Sequence, residues 1–105
     1  MGLFGLLFGK HHSSAVYMRN LVADGAVIVD VRSPEEFRGG HLKNSLNIPL
    51  QSLAQQLPIL KQKKKPIITV CKTGARSSMA VGILKNAGIE AYNGGPWNVL
   101  QHQLA

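Results

Sequence analysis

Cys71 is the only cysteine in this chain of 105 residues, and the residue types that follow it favour an anion. The segment Cys71-Lys72-Thr73-Gly74-Ala75-Arg76 comes directly after the apolar run Pro66-Ile67-Ile68-Thr69-Val70. A residue at the carboxyl end of a buried parallel strand lies where open α/β sheets place their ligands. Gly74 permits tight or positive-φ backbone. Successive N–H groups can then converge on the sulfur as an anion nest. The helix expected to begin near Arg76 adds its positive end, and Lys72 and Arg76 add full charges. All of these favour thiolate over thiol, and the thiolate is the nucleophile. With one cysteine, neither an intramolecular disulfide nor a paired-cysteine zinc site can form, and a cytoplasmic location is the simplest expectation.

The elements that must position this loop can be read along the chain. Ser13 or Ser14 caps a helix to about Ala23, with Met18, Leu21 and Val22 on one face and Gly25 as its stop. Ala26 to Val31 is a continuous apolar run ending in Asp30-Val31, the pattern of a strand covered on both faces. Ser33-Pro34-Glu35-Glu36 combines an N-cap, an N1 proline and a glutamate three residues after the cap, and Gly39-Gly40 ends that short helix. Ser45 to Ile48 reads as a short strand stopped by Pro49. Leu50, Leu53 and Leu57 mark a helix that Pro58 is expected to break. A helix from Ser77 to Ala87 should turn Met79, Ala80, Ile83, Leu84 and Ala87 inward, with Gly88 as its C′ residue. Ile89 to Tyr92 follows as a last strand, then a turn at Asn93-Gly94-Gly95-Pro96 and a short final helix. Strands alternating with helices predict an α/β sandwich around a parallel sheet.

Composition bounds the partners. Twelve Lys and Arg against five Asp and Glu give a formal net charge of +7, which favours anionic partners. No aromatic residues are interleaved with the basic ones, so a base-stacking platform is not expected and nucleic acid is not the predicted partner. Residues 1–12 read as an N-terminal tail before a domain over 13–105. The apolar stretch 1–9, MGLFGLLFG, is too short to span a bilayer and lacks the positive n-region of a secretory signal. Contact with a membrane surface is the less favoured reading of it. His11 and His12 have no third ligand nearby and read as surface. No metal site is predicted. Lys61, Lys63, Lys64 and Lys65 read as a solvated connector, with steering of an anionic donor or an acidic partner as the alternative.

The pattern Cys71-x-x-Gly74-x-Arg76-Ser77 resembles the active-site loop of the rhodanese family. A second stretch agrees in order and spacing: Asp30-Val31-Arg32, Glu36-Phe37, Gly40-His41-Leu42 and Ser45-Leu46-Asn47-Ile48-Pro49. Gly94-Gly95 fits a third, weaker feature, and the match runs from about Ser14 to Leu100. The family often has a tryptophan where this chain has Val99, and here Trp97 comes two residues earlier.

The resemblance implies a three-layer sandwich with a parallel sheet of about five strands and helices on both faces. It implies a sulfurtransferase without cofactor, with Cys71 carrying a persulfide; a monomer is expected, although the sequence itself is silent on oligomeric state. Lys72, Thr73, Gly74, Ala75, Arg76 and Ser77 would hold a small anionic donor such as thiosulfate. The acceptor would be cyanide, a thiol or a protein. Asp30 and Arg32 would support the site through ion pairing, Asp30 being a candidate partner for a loop arginine, and His41 would be a structural hydrogen-bonder. Two other readings follow from the same family. One is a sulfur relay or regulatory module with little activity toward thiosulfate. The other is a cysteine-based phosphatase or arsenate reductase, ranked lower because four residues separate Cys71 from Arg76, one fewer than in those phosphatases.

Overall fold

The computed structural model describes residues 15–105. The caps expected at Ser13 or Ser14, the histidine pair and the apolar stretch 1–9 lie outside the described residues. Helix α1 (Ala15–Ala23) buries Met18 and ends before Gly25, whose φ of 102° is the left-handed conformation a glycine supplies readily. Strand β1 (Val27–Asp30) follows, then α2 (Pro34–Arg38), in which the capping box forms as read: Ser33 Oγ accepts from Glu36 N, and the Glu36 carboxylate accepts from Ser33 N. The next elements are β2 (Leu46–Asn47), a 3-10 turn (Leu50–Ser52), α3 (Leu53–Gln62), β3 (Ile67–Cys71), α4 (Ala75–Asn86), β4 (Ala91–Pro96) and α5 (Trp97–Leu104).

The strands form one parallel sheet in the order β2-β1-β3-β4. It has four strands among the described residues, one fewer than the resemblance implied. Alternation along the central strands separates two cores. Val29, Ile67 and Cys71 face α3 and α4 and pack with Leu53, Leu60, Ala80 and Leu84. Ile28, Ile68 and Val70 face α1 and α5 and pack with Met18, Leu42 and Leu100. The result is the expected three-layer sandwich. No helix among the described residues is long and apolar enough to cross a membrane.

Three local expectations are corrected. Pro58 does not break α3 but lies inside it. Proline removes one N–H from the helix ladder, and burial of Leu53 and Leu60 on either side outweighs that loss. Met79 is 61% exposed, so it belongs to the outer face of α4 while Ala80 and Leu84 face the sheet. Asn93 to Pro96 is not a turn but the last four residues of β4. The strand continues because Gly94 bulges out of the ladder: Thr69 pairs with Asn93 and Val70 with Gly95. A Cβ at Gly94 would sit 2.8 Å from Ile68 Cγ2 and 2.9 Å from Val70 Cγ1, so only glycine fits there without movement.

Candidate active site

Cys71 closes β3 and is fully buried at its carboxyl end. Gly74 takes φ 102° as the N-cap of α4 and has no side chain with which to cap it. The sulfur fills that role. Gly74 N donates to Cys71 Sγ at 3.0 Å and Ser77 N at 3.3 Å, so the N–H groups at the start of α4 converge on one atom. Ser77 Oγ lies 3.3 Å from the same sulfur. Burial pushes the thiol up, but the Ser77 hydroxyl and the N–H groups of Ser77, Gly74 and Thr73 outweigh it and leave Cys71 below the ordinary thiol value. The nest inferred from the loop spacing is present, and its donors are neutral dipoles.

The first turn of α4 is held from below. Thr69 Oγ1 donates to Ser77 O at 2.8 Å, fixing the helix start to β3 one residue pair before the cysteine. From the side, Asn93 Oδ1 lies 2.7 Å from Ser77 Oγ and accepts from Gly95 N at 2.8 Å, while Asn93 Nδ2 donates to Gly74 O at 3.3 Å. Lys72 and Thr73 are exposed at the rim, and Ala75 is exposed at the first position of the helix.

The charged residues are arranged differently from the reading above. Asp30 does not pair with the loop arginine. It pairs with Arg32 in a buried bidentate bridge, Nε to Oδ1 at 3.0 Å and Nη2 to Oδ2 at 2.7 Å. Arg32 also donates to Gly40 O at 2.8 Å and to Glu36 O at 3.3 Å, and its guanidinium lies 4.9 Å from the centre of the Trp97 ring. Arg76 turns outward to Glu36, with Nη1 to Oε1 at 2.8 Å and Nη2 to Oε2 at 3.0 Å. The hydrogen bond from Arg76, helped by the Ser33 backbone, holds the Glu36 carboxyl down to about 2, and the same pairing raises Arg76. Asp30 and Arg32 thus tie the end of β1 to α2 and to Gly40, with Asn47 Nδ2 donating to the carbonyls of both at 3.0 Å.

His41 stacks on Phe37 at 3.7 Å and its Nδ1 lies 2.8 Å from Phe37 O, a structural contact away from the sulfur. Lys61, Lys63, Lys64 and Lys65 precede β3, whose far end carries Cys71. Five residues of strand put them about 17 Å from the site, beyond roughly a Debye length at physiological salt, which weakens them as steering charges. Glu36, Asn93 and Trp97 were not among the expected site residues. Glu36 is visible in sequence as a capping residue and within the second rhodanese-like stretch, neither of which marks it as the partner of Arg76, and nothing local marks Asn93.

Residues 14–96 match the rhodanese-like domain model. This chain belongs to the rhodanese-like domain family. It is 41% identical over 69 residues to the uncharacterised protein YqhL of Bacillus subtilis, covering 65% of this chain and 54% of that one. It is 40% identical over 63 residues to an adenylyltransferase and sulfurtransferase of Ogataea parapolymorpha, 60% of this chain but 16% of that protein. The chain therefore spans about half of the first relative and a small part of the second. A rhodanese with anions from E. coli superimposes with a TM-score of 0.66 at 26% identity, over 70% of this chain and 89% of that one.

Proposed function

We propose that this protein is a sulfurtransferase in which Cys71 carries sulfane sulfur as a persulfide. The observation that carries the reading is the convergence of Gly74 N, Ser77 N and the Ser77 hydroxyl on a buried sulfur whose thiol lies below its ordinary value. Such a site lowers the charge cost of a thiolate and of a persulfide anion alike. The Cys71 thiolate attacks the outer sulfur of thiosulfate. A new S–S bond forms as the bond to the sulfonate sulfur breaks, and sulfite leaves with the electron pair. Cyanide or a thiol then attacks the outer sulfur and returns Cys71 as thiolate. Lys72 and Thr73, exposed at the rim, supply charge and a hydroxyl to the sulfonate. A persulfide relay between proteins uses the same cradle, and the name of the Ogataea relative as a sulfurtransferase supports the chemistry without selecting the donor.

Excess thiosulfate should add one sulfur, about 32 Da, to the intact chain through the covalent intermediate, and cyanide should remove it. Cys71→Ser should abolish adduct and turnover while keeping the fold. No second thiol can carry the label. Turnover at the wild-type rate in Cys71→Ser would overturn the mechanism. An adduct that passes to protein thiols and not to cyanide selects the relay.

A further inference from the structure

The Ser77 hydroxyl has one proton and three neighbours that could take it. Cys71 Sγ lies at 3.3 Å, Gly74 O at 3.1 Å and Asn93 Oδ1 at 2.7 Å. The orientation of the Asn93 amide is fixed from two sides: Gly95 N donates to Oδ1 at 2.8 Å, while Gly74 O, which also accepts from Ser78 N at 3.1 Å, can only accept and faces Nδ2 at 3.3 Å. A flipped amide would set donor against donor and acceptor against acceptor. Asn93 therefore presents an acceptor to Ser77. While Cys71 is a thiol, its S–H can donate to Ser77 Oγ and Ser77 can donate to Asn93. When Cys71 is a thiolate, the sulfur can only accept, and it competes with Asn93 for the one proton. Once Sγ is bonded to a second sulfur, the charge moves outward and the competition relaxes.

We propose that Asn93 is a positioning residue that acts on Cys71 through Ser77, holding the Ser77 proton while Sγ is neutral and yielding it while Sγ is a thiolate. The proposal rests on Cys71 being the reacting nucleophile. It makes the Ser77 hydroxyl a rotor whose direction follows the state of the sulfur, with Asn93 setting how much the thiolate must overcome. Strand geometry supports it. Asn93 is the last residue of β4 before the Gly94 bulge, and there its side chain lies on the α4 side of the sheet. The charged groups around this end are Arg76 with Glu36, Asp30 with Arg32, and Lys72 on the loop. β4 contributes none, and Lys61, the one charged residue of α3, lies by Gly88 at the other end of α4.

The test is the pH midpoint of iodoacetamide alkylation of Cys71 in four variants. Asn93→Leu keeps the bulk of the side chain, excludes water and removes the acceptor, so Ser77 turns to the sulfur. The midpoint should fall by about half to one unit, the scale of one hydrogen bond. Ser77→Ala removes the donor and should raise the midpoint. In Ser77→Ala/Asn93→Leu the effect of Asn93→Leu should vanish, because no hydroxyl remains to carry it. Asn93→Asp presents a stronger acceptor in the same shape and should raise the midpoint. A midpoint that is unchanged or raised in Asn93→Leu, or a fall of equal size in the double variant, overturns the proposal. If Asn93→Leu does not fold, Asn93→Asp decides. Adding Ser77→Ala to it should then shift the midpoint less than Ser77→Ala does alone, and a full additive shift overturns the rotor. Alkylation reads the thiol whatever the sulfur donor. Failure here leaves the persulfide adduct intact, whereas failure of the sulfurtransferase reading removes the adduct and not the midpoints.

Discussion

The donors around Cys71 and the charged residues beside them occupy adjoining space and work by different physics. Around the sulfur, neutral N–H groups and one hydroxyl converge within 3.3 Å of Sγ. Next to it, Asp30, Arg32, Glu36 and Arg76 neutralise one another in pairs. Dipoles lower the cost of the anion without capturing it. The charged lattice instead fixes geometry: Arg32 clamps Asp30 at the end of β1 to Gly40, and Arg76 ties the first turn of α4 to α2 through Glu36. The lattice sets geometry and the donors set reactivity.

Asp30→Ala should break that division most severely. It leaves the Arg32 guanidinium buried without its carboxylate, and removing one partner of such a pair costs about 3–5 kcal/mol, read as a lower urea midpoint. The folded fraction should still alkylate with a midpoint below the ordinary thiol value. A return of Cys71 to that value would show that the lattice, and not the neutral donors, holds the thiol down.

Acid titration gives a smaller effect. The folded Glu36 carboxyl titrates near 2 against an ordinary 4.5, so its contribution to stability is complete above 4.5 and is lost as pH falls from there toward 2. The side chains of Arg76 and Glu36 are 38% and 32% exposed, so solvent screening limits the pair to about 1 kcal/mol or less. In Glu36→Gln the urea midpoint should vary less with pH across that window; an unchanged slope there would mean that the pair contributes nothing to folding. The smallest effect on stability belongs to Lys72→Ala. Its side chain is exposed, so folding should be unmoved, while kcat/KM for thiosulfate should drop and the difference from wild type should shrink at high salt. Kinetics equal to wild type at every ionic strength would remove Lys72 from the donor site.

What could be read from sequence was what is local. The capping box of α2, the buried runs of β1 and β3 and the cysteine loop each depend on residues within a few positions of one another. Most of the departures involve partners distant in sequence. Arg76 and Glu36 are forty residues apart, and nothing near either one shows that they meet. Asp30 finds Arg32 two residues on, because the backbone bends at the end of β1 and Arg32 N itself donates to Asp30 Oδ1. Pro58 stays helical because the leucines around it are buried by elements elsewhere in the chain. Met79 faces solvent because the stripe of α4 that meets the sheet runs through Ser77, Ala80 and Leu84, and Met79, one residue before Ala80, lies about 100° around the helix from it. Asn93 was hidden by its neighbours: an Asn-Gly-Gly-Pro string has the composition of a turn, and only pairing with β3 makes it a strand.

The extra residue at Gly94 also changes the parity of the chain. Side chains in a strand alternate between the two sides of the sheet, so an odd insertion exchanges the sides for everything that follows. Asn93 points to the α4 layer; counted without a bulge, Trp97, four residues on, would emerge on that same side. With one residue looped out, Trp97 emerges instead among Met18, Leu42 and Leu100, beneath the Arg32 guanidinium. A single glycine without a side chain thus sets the side of the sheet on which α5 begins, so that Asn93 faces the helix that carries Ser77 while Trp97 lies on the opposite side against the buried arginine.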